Sequence, residues 1–155
     1  MKTEELKTLI EKTRLRYYQL VLLLGPPGSS KTAVLSAVAK NEGYPYINLS
    51  LTLAEKLLGY PVKKRPLYLS RIIDQILGSD ANVVLLDNTE VLFDPSLQHD
   101  PLRLLQQMSR NRTIVAAWNG RFEDEILRCA ERNHPEYKEY SDVDALIHCL
   151  GKRDS

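Results

Sequence analysis

The run Gly25-Pro26-Pro27-Gly28-Ser29-Ser30-Lys31-Thr32 has the residue types and spacing of a loop built to hold a phosphate chain. Several negative charges gather best on backbone N–H groups at a helix N-terminus, where unpaired donors and the helix dipole both face the anion. Gly25 and Gly28 let the main chain approach the phosphates, Lys31 reaches the terminal phosphates as a point charge, and the Thr32 hydroxyl is a ligand for Mg2+. The residue before the lysine is usually glycine in such loops, and here it is Ser30. Gly25 to Thr32, with Pro26, Pro27 and Ser29, is therefore the expected binding loop for ATP or another nucleoside triphosphate. The competing reading is a turn that happens to follow a core strand.

Two further chain positions carry polar groups at the ends of apolar runs. Asn82 to Asp87 is a continuous apolar segment closing on a carboxylate, and Asp87 is suited to hold magnesium through a coordinated water. The residue after such an aspartate is often a glutamate that polarises the attacking water; here it is Asn88, an amide that orients water without accepting its proton. Glu90 is the nearest replacement base, against the reading of a plain surface carboxylate. Thr113 to Trp118 is a third apolar run, ending at Asn119. Its amide could bind the terminal phosphate or the attacking water, as a sensor asparagine does in ATPases with an extra strand between the loop strand and the metal strand. Asn119-Gly120 also reads as a turn. Arg110, Arg112 and Arg121 flank this run as alternative phosphate-stabilising residues, within the chain or on a neighbouring subunit. Arg112 joins Lys31, Asn88, Glu90 and Asn119 as a candidate catalytic residue; Thr32 and Asp87 are the candidate metal ligands.

The 155 residues, 43% apolar and 26% charged, suit one compact α/β domain over residues 1–155. A net charge of +1 provides no global field toward nucleic acid or an anionic membrane. The longest apolar run, Leu20 to Leu24, is far below the roughly 20 residues of a membrane span, so the expected location is the cytoplasm. Cys129 and Cys149 form no metal-spaced pattern with His99, His134 and His148, and both read as reduced.

The supporting elements alternate. Glu4 to Arg16 reads as a helix, Leu20 to Leu24 as a strand, Lys31 to Lys40 as the phosphate-binding helix stopping at Gly43, and Pro45 to Leu49 as a short strand. Thr52 and Glu55 fit a capping box opening a helix that Gly59 closes. Gly59 to Pro66 reads as a loop carrying the basic run Lys63-Lys64-Arg65, and Pro66 starts a helix to Gly78. Asp100 and Pro101 open another helix, through Ser109. Ile126 to Ala130 is expected as a fifth strand, Asn133 to Tyr140 as a polar turn region, and Asp142 to Leu150 as a short final helix. Strands alternating with helices imply a mainly parallel sheet covered on both sides, with ligands beyond the strands' carboxyl ends.

With these residues placed, the chain resembles the additional-strand P-loop NTPase class related to AAA+ proteins. That resemblance implies a three-layer core with a five-stranded sheet in the order 5-1-4-3-2. It is more specifically similar to the BrxF-like small P-loop proteins of type 3 BREX bacteriophage-defence systems. The similarity runs through Leu24 to Thr32, Leu85 to Pro95, Asp100 to Gln106, Ser109 to Gly120 and His134 to Tyr137. It implies a nucleotide-binding accessory subunit that works with larger defence proteins acting on DNA. AAA+ proteins carry a helical lid domain after the core, which this length does not accommodate.

Four functions compete at this point. An ATPase, with a homo-oligomer in which one copy completes the site of the next, requires a working base. A nucleotide-gated interaction module follows if Asn88 keeps hydrolysis low. A small-molecule kinase requires a mobile arginine-bearing lid, and a DNA-contacting subunit would use Lys63, Lys64 and Arg65.

Overall fold

Residues 2–26, 30–129 and 138–150 are described by the structure, a computed structural model. The elements run α1 (Lys2–Thr13), β1 (Leu20–Gly25), α2 (Lys31–Glu42), β2 (Tyr46–Asn48), α3 (Leu49–Leu57), α4 (Arg65–Leu77), β3 (Val83–Asp87), α5 (Pro101–Met108), β4 (Thr113–Glu123), β5 (Ile126–Cys129), β6 (Lys138–Tyr140) and β7 (Leu146–Cys149). Short 3-10 turns occupy Val62–Lys64, Thr89–Phe93 and Pro95–Leu97.

Strands β2, β3, β4, β1 and β7 lie side by side in that order, and every pairing among them is parallel. β1 and β3 are buried along their whole length, as expected for strands covered on both faces. The pleat divides their side chains between two apolar layers. Leu20, Leu22, Leu24, Val84, Leu86, Ile114, Ala116 and Trp118 face the layer formed with α3, α4 and α5. Val21, Leu23, Val83, Leu85, Val115 and Ala117 face α1 and α2. This is the three-layer α/β architecture, and the strand order is the expected one with β7 in the outermost place.

The identity of that outer strand is a correction. Ile126–Cys129 does not pair in the parallel sheet; β5 runs antiparallel to β4 and β6. The segment read as a final helix instead supplies β7, whose Leu146 to Cys149 pair with Val21 to Leu24. Leu146-Ile147-His148-Cys149-Leu150 is too short for periodicity to separate helix from strand. The open backbone edge of buried β1 decides it by pairing with this segment. Ala130 and Asn133 to Tyr137 lie outside the described residues, and Lys138–Tyr140, assigned to the same turn region, is strand β6.

Local caps explain the other differences. The expected capping box at Thr52 is not the start of α3; Asn48 caps the helix, its side chain accepting from the Leu51 N–H at 3.2 Å. The helix therefore begins directly after β2. Gly43 ends α2 in the left-handed conformation, at φ 74°, with its N–H on the Ala39 carbonyl. Asp100 caps α5 through Arg103 N–H at 3.1 Å, and the same oxygen accepts from the Tyr140 hydroxyl at 3.0 Å.

Asn119-Gly120 is not a turn: β4 runs on to Glu123 and turns back through Asp124 and Glu125 into β5. A Cβ at Gly120 would overlap the Arg128 carbonyl oxygen on the paired strand. The antiparallel extension packs Leu127, Cys129 and Tyr140 with Trp118 and Phe93, and the Trp118 indole N–H donates to Cys129 Sγ. Burial pushes the Cys129 thiol up to about 12. The pair is structural.

Two measurements check these packing arguments. Gly120→Ala is expected to destabilise the fold by about 2 kcal/mol in chemical denaturation, because backbone rather than a mobile side chain blocks the added methyl group. Asp100→Ala, which removes a helix cap and the Tyr140 partner together, is expected to cost about 1–2 kcal/mol in the same assay.

Candidate functional site

Parallel pairing brings the polar ends of β1, β3 and β4 to one edge of the sheet. Gly25, the last residue of β1, is in register with Asn119 of β4, and Leu86, just before Asp87, is in register with Ala116. Pro27, Gly28 and Ser29 of the binding loop lie outside the described residues. Gly25 and Pro26 lead into the loop, and Ser30 leads directly into α2.

Lys31 opens α2 and is 7% exposed, close to fully buried for an ammonium. Its Nζ donates to the carbonyls of Gly25 and Pro26, each at 2.8 Å. Burial pulls its pKa below the ordinary lysine value, and the negative charges of Glu90 and Asp87 pull in the opposite direction. A lysine bonded to loop carbonyls and facing two carboxylates is held at the mouth of the loop as a charge available to phosphate.

The Thr32 hydroxyl donates to Asp87 Oδ2 at 2.6 Å. The two residues are 55 positions apart and were paired by sequence reasoning as metal ligands; the fold places them in contact. Their chemistry suits magnesium: a hydroxyl that donates its proton to the carboxylate keeps its lone pairs for a cation, and Asp87 is an oxygen acceptor for metal-bound water. Asp87 is 3% exposed, and its other oxygen accepts from the Asn88 N–H at 2.9 Å.

Asn88 stands in the left-handed region at φ 55°, a conformation that asparagine tolerates better than most residues. Its carbonyl accepts from the Ser50 hydroxyl at 2.7 Å. The chain thereby turns sharply after Asp87 into the Thr89–Phe93 turn, where the Thr89 hydroxyl donates to the Ala117 carbonyl. The turn brings Glu90 toward β4, and the Asn119 amide donates to Glu90 Oε1 at 2.8 Å. Two residues that the sequence left individually ambiguous thus form a pair: Glu90 is an exposed carboxylate, as its surface reading had it, with Asn119 as its partner, and the turn reading of Asn119 is replaced because β4 continues through it.

Arg112 is a correction. It precedes the first residue of β4, whereas Asn119 lies at the strand's far end, about 23 Å away at strand rise. Arg112 Nη2 instead donates to the Gly78 carbonyl at 3.1 Å, beside Asp74 at 3.8 Å, closing the end of α4. Arg110 lies at the same end of the sheet, its guanidinium 4.3 Å from the Tyr17 ring centroid. Arg121 follows Asn119 on β4 and pairs with Glu123 at 2.7 Å. In the basic run, Lys63 and Lys64 are exposed and Arg65 Nε donates to the Tyr60 carbonyl at 3.1 Å.

Two contributors escaped sequence reasoning. Tyr46 on β2 donates its phenolic proton to Asp87 Oδ2 at 2.6 Å, and burial together with that carboxylate pushes its pKa up to about 12. Ser50 holds the Asn88 carbonyl. A tyrosine in a short edge strand carries no local signal of such a role; it emerges only from the register pairing Asn48 with Asp87. Among the described residues there is no cluster of three or more His, Cys, Asp or Glu that could hold a metal. Likewise, no helix among them is long and apolar enough to cross a membrane.

The chain is 24% identical over 109 residues to the vesicular-fusion protein SEC18 of Candida albicans, covering 67% of this chain and 14% of that protein. It is 31% identical over 84 residues to the vesicular-fusion protein sec18 of Schizosaccharomyces pombe, covering 54% of this chain and 10% of that protein. The chain therefore spans about a seventh or less of the length of these curated relatives. Similar solved structures include C. elegans PCH-2, at 20% identity and TM-score 0.46 over 96% of this chain and 41% of that one. Another is a DNA replication initiation factor, at 16% identity and TM-score 0.47 over 95% of this chain and 44% of that one. Residues 21–128, which span the loop strand, the Asp87 strand and the Asn119 strand, match the ATPase family associated with various cellular activities, and the chain belongs to this AAA family.

Proposed function

We propose that this chain binds ATP with magnesium and hydrolyses it slowly, as a nucleotide-dependent accessory subunit in a BREX-type bacteriophage-defence system. The observation that carries the nucleotide part is the convergence of Lys31, the Thr32 and Asp87 contact, and the Glu90 and Asn119 pair at the carboxyl ends of three adjacent strands. Family membership supports ATP as the ligand. The defence role rests on the similarity that runs through Leu24 to Thr32, Leu85 to Pro95, Asp100 to Gln106, Ser109 to Gly120 and His134 to Tyr137, the later segments being the distinctive ones.

Each residue has a chemical task in this reading. Lys31 exchanges its loop carbonyls for phosphate oxygens, and the Thr32 hydroxyl turns its lone pairs to the metal while keeping its proton on Asp87. When bound, magnesium offsets phosphate charge as it shifts during transfer. Glu90, not Asn88, accepts the proton of the attacking water, since the left-handed turn at Asn88 carries the chain round to put a carboxylate beside Asn119. The Asn119 amide has two N–H donors, so it can hold Glu90 with one and meet the terminal phosphate with the other. Asn119 takes one of the roughly four acceptor sites of the Glu90 carboxylate, which orients the base and leaves the others for water. A homo-oligomer, with Arg121 offered to a neighbouring site, belongs to the same proposal, as does weak DNA contact through Lys63 and Lys64.

A second reading, a nucleotide-gated module without catalysis, is favoured by Asn88, an amide where a base carboxylate is usual. Two variants separate the readings. Lys31→Ala is expected to weaken ATP binding at least tenfold by calorimetry, because it removes the buried cation of the loop. Glu90→Gln is expected to leave binding intact and lower single-site turnover about 100-fold. Turnover equal to that of the unmodified chain assigns Glu90 to gating instead. Measuring particle mass with and without nucleotide in the same samples tests the oligomer.

A further inference from the structure

We propose that Tyr46 is a positioning residue for magnesium: its phenol fixes the Asp87 carboxylate in the one orientation that leaves a site for metal-bound water. The inference rests on the nucleotide reading above and extends it to a residue outside the loop and both strand-end motifs.

The argument is a count of lone pairs. A carboxylate offers about four acceptor sites, two on each oxygen. Oδ2 of Asp87 receives two hydroxyl donors, Thr32 and Tyr46, both at 2.6 Å. Oδ1 receives the Asn88 N–H at 2.9 Å. Oδ2 is therefore filled, and one acceptor position remains, on Oδ1. At 3% exposure Asp87 has almost no bulk water to complete its shell, so these donors determine where the free position points. Bonds of this length from a hydroxyl to a carboxylate are in the charge-assisted range and hold orientation well.

Of the three donors, Tyr46 is the one that belongs to neither the loop helix nor the turn, and its hydroxyl lies against both Asp87 and the Thr32 hydroxyl. The Thr32 oxygen must also serve the cation, and the Asn88 N–H belongs to the turn that delivers Glu90. Without the phenol, one lone pair of Oδ2 is open, and the carboxylate can turn about its terminal torsion to offer either oxygen to a water. The backbone explains how Tyr46 reaches. Tyr46 pairs with Leu85 and Asn48 with Asp87, so the phenol crosses diagonally to a residue two positions further along the neighbouring strand. The next residues of the same segment brace the other side of the corner, with Ser50 on the Asn88 carbonyl at 2.7 Å. Tyr46 is 37% exposed and its ring lies at the sheet edge, so the Phe variant preserves the apolar contact and removes only the donor.

The test is the affinity of Tyr46→Phe and the unmodified chain for a fluorescent ATP analogue, in EDTA and across a magnesium titration. The expected result is metal-free affinity unchanged within about twofold and a magnesium midpoint raised about tenfold, the scale on which outer partners of metal ligands act. An unchanged midpoint overturns the inference. So does an equal loss of affinity with and without magnesium, which marks general damage to the fold. If the unmodified chain binds the analogue under neither condition, the nucleotide reading fails and takes this inference with it, a result visible before the variant is compared.

Discussion

Burial of the central strands on both faces is the constraint from which the rest of this structure follows. With helices over one side, and helices plus the folded-back end of β4 over the other, β1, β3 and β4 satisfy their backbone groups by pairing in register with neighbouring strands, β4 with β1 and β3, and these in turn with β7 and β2. That pairing leaves no freedom in where the strands stop. Gly25, Asp87 and Asn119 emerge at the same edge because the parallel registers place them there.

What occupies that edge is a balance of buried charge. An ammonium at Lys31 that is nearly inaccessible to water would be costly alone, and its neighbours Glu90 and Asp87, with the loop carbonyls, meet that cost. Asp87 is itself nearly buried and is supported by three donors from three separate segments, β2, α2 and its own following residue. Each group is thus held in place by the need to satisfy another. In the proposed reading, phosphate and magnesium would enter as a further anion and cation beside one ammonium, Lys31, and two carboxylates, Asp87 and Glu90.

The path of β4 beyond Asn119 gives the molecule its particular form. Gly120 permits a close approach to the Arg128 carbonyl, so the strand can leave the parallel sheet and return as an antiparallel ribbon over Trp118 and Phe93. The outer place beside β1 is then free for β7, the last strand. Asn119 consequently stands at the point where two kinds of sheet meet, with its backbone held by β1 and its side chain directed to Glu90.

Much of this was legible in the residues alone. Gly25, Lys31 and Thr32 announced their loop, Asp87 its strand end, and Asp100 and Gly43 their helix ends, because each signal is local: a backbone conformation, a cap, or a run of apolar residues within one element. The signals failed where the deciding energy came from elsewhere in the chain. Leu146 to Cys149 became a strand because β1 had an open edge, Arg112 was removed from the phosphate site by its position at the start of β4, and Asn88 acquired its left-handed turn alongside a bond from Ser50. The sequence by itself determined that a mainly parallel α/β sheet would form, with Asp87 closing a buried strand and Lys31 and Thr32 opening a helix, since short-range sterics and patterning dictate those. Only the tertiary structure decided that Glu90 meets Asn119 and that Tyr46 holds Asp87, because hydrogen bonds between segments 29 and 41 residues apart depend on strand register, which no single segment encodes.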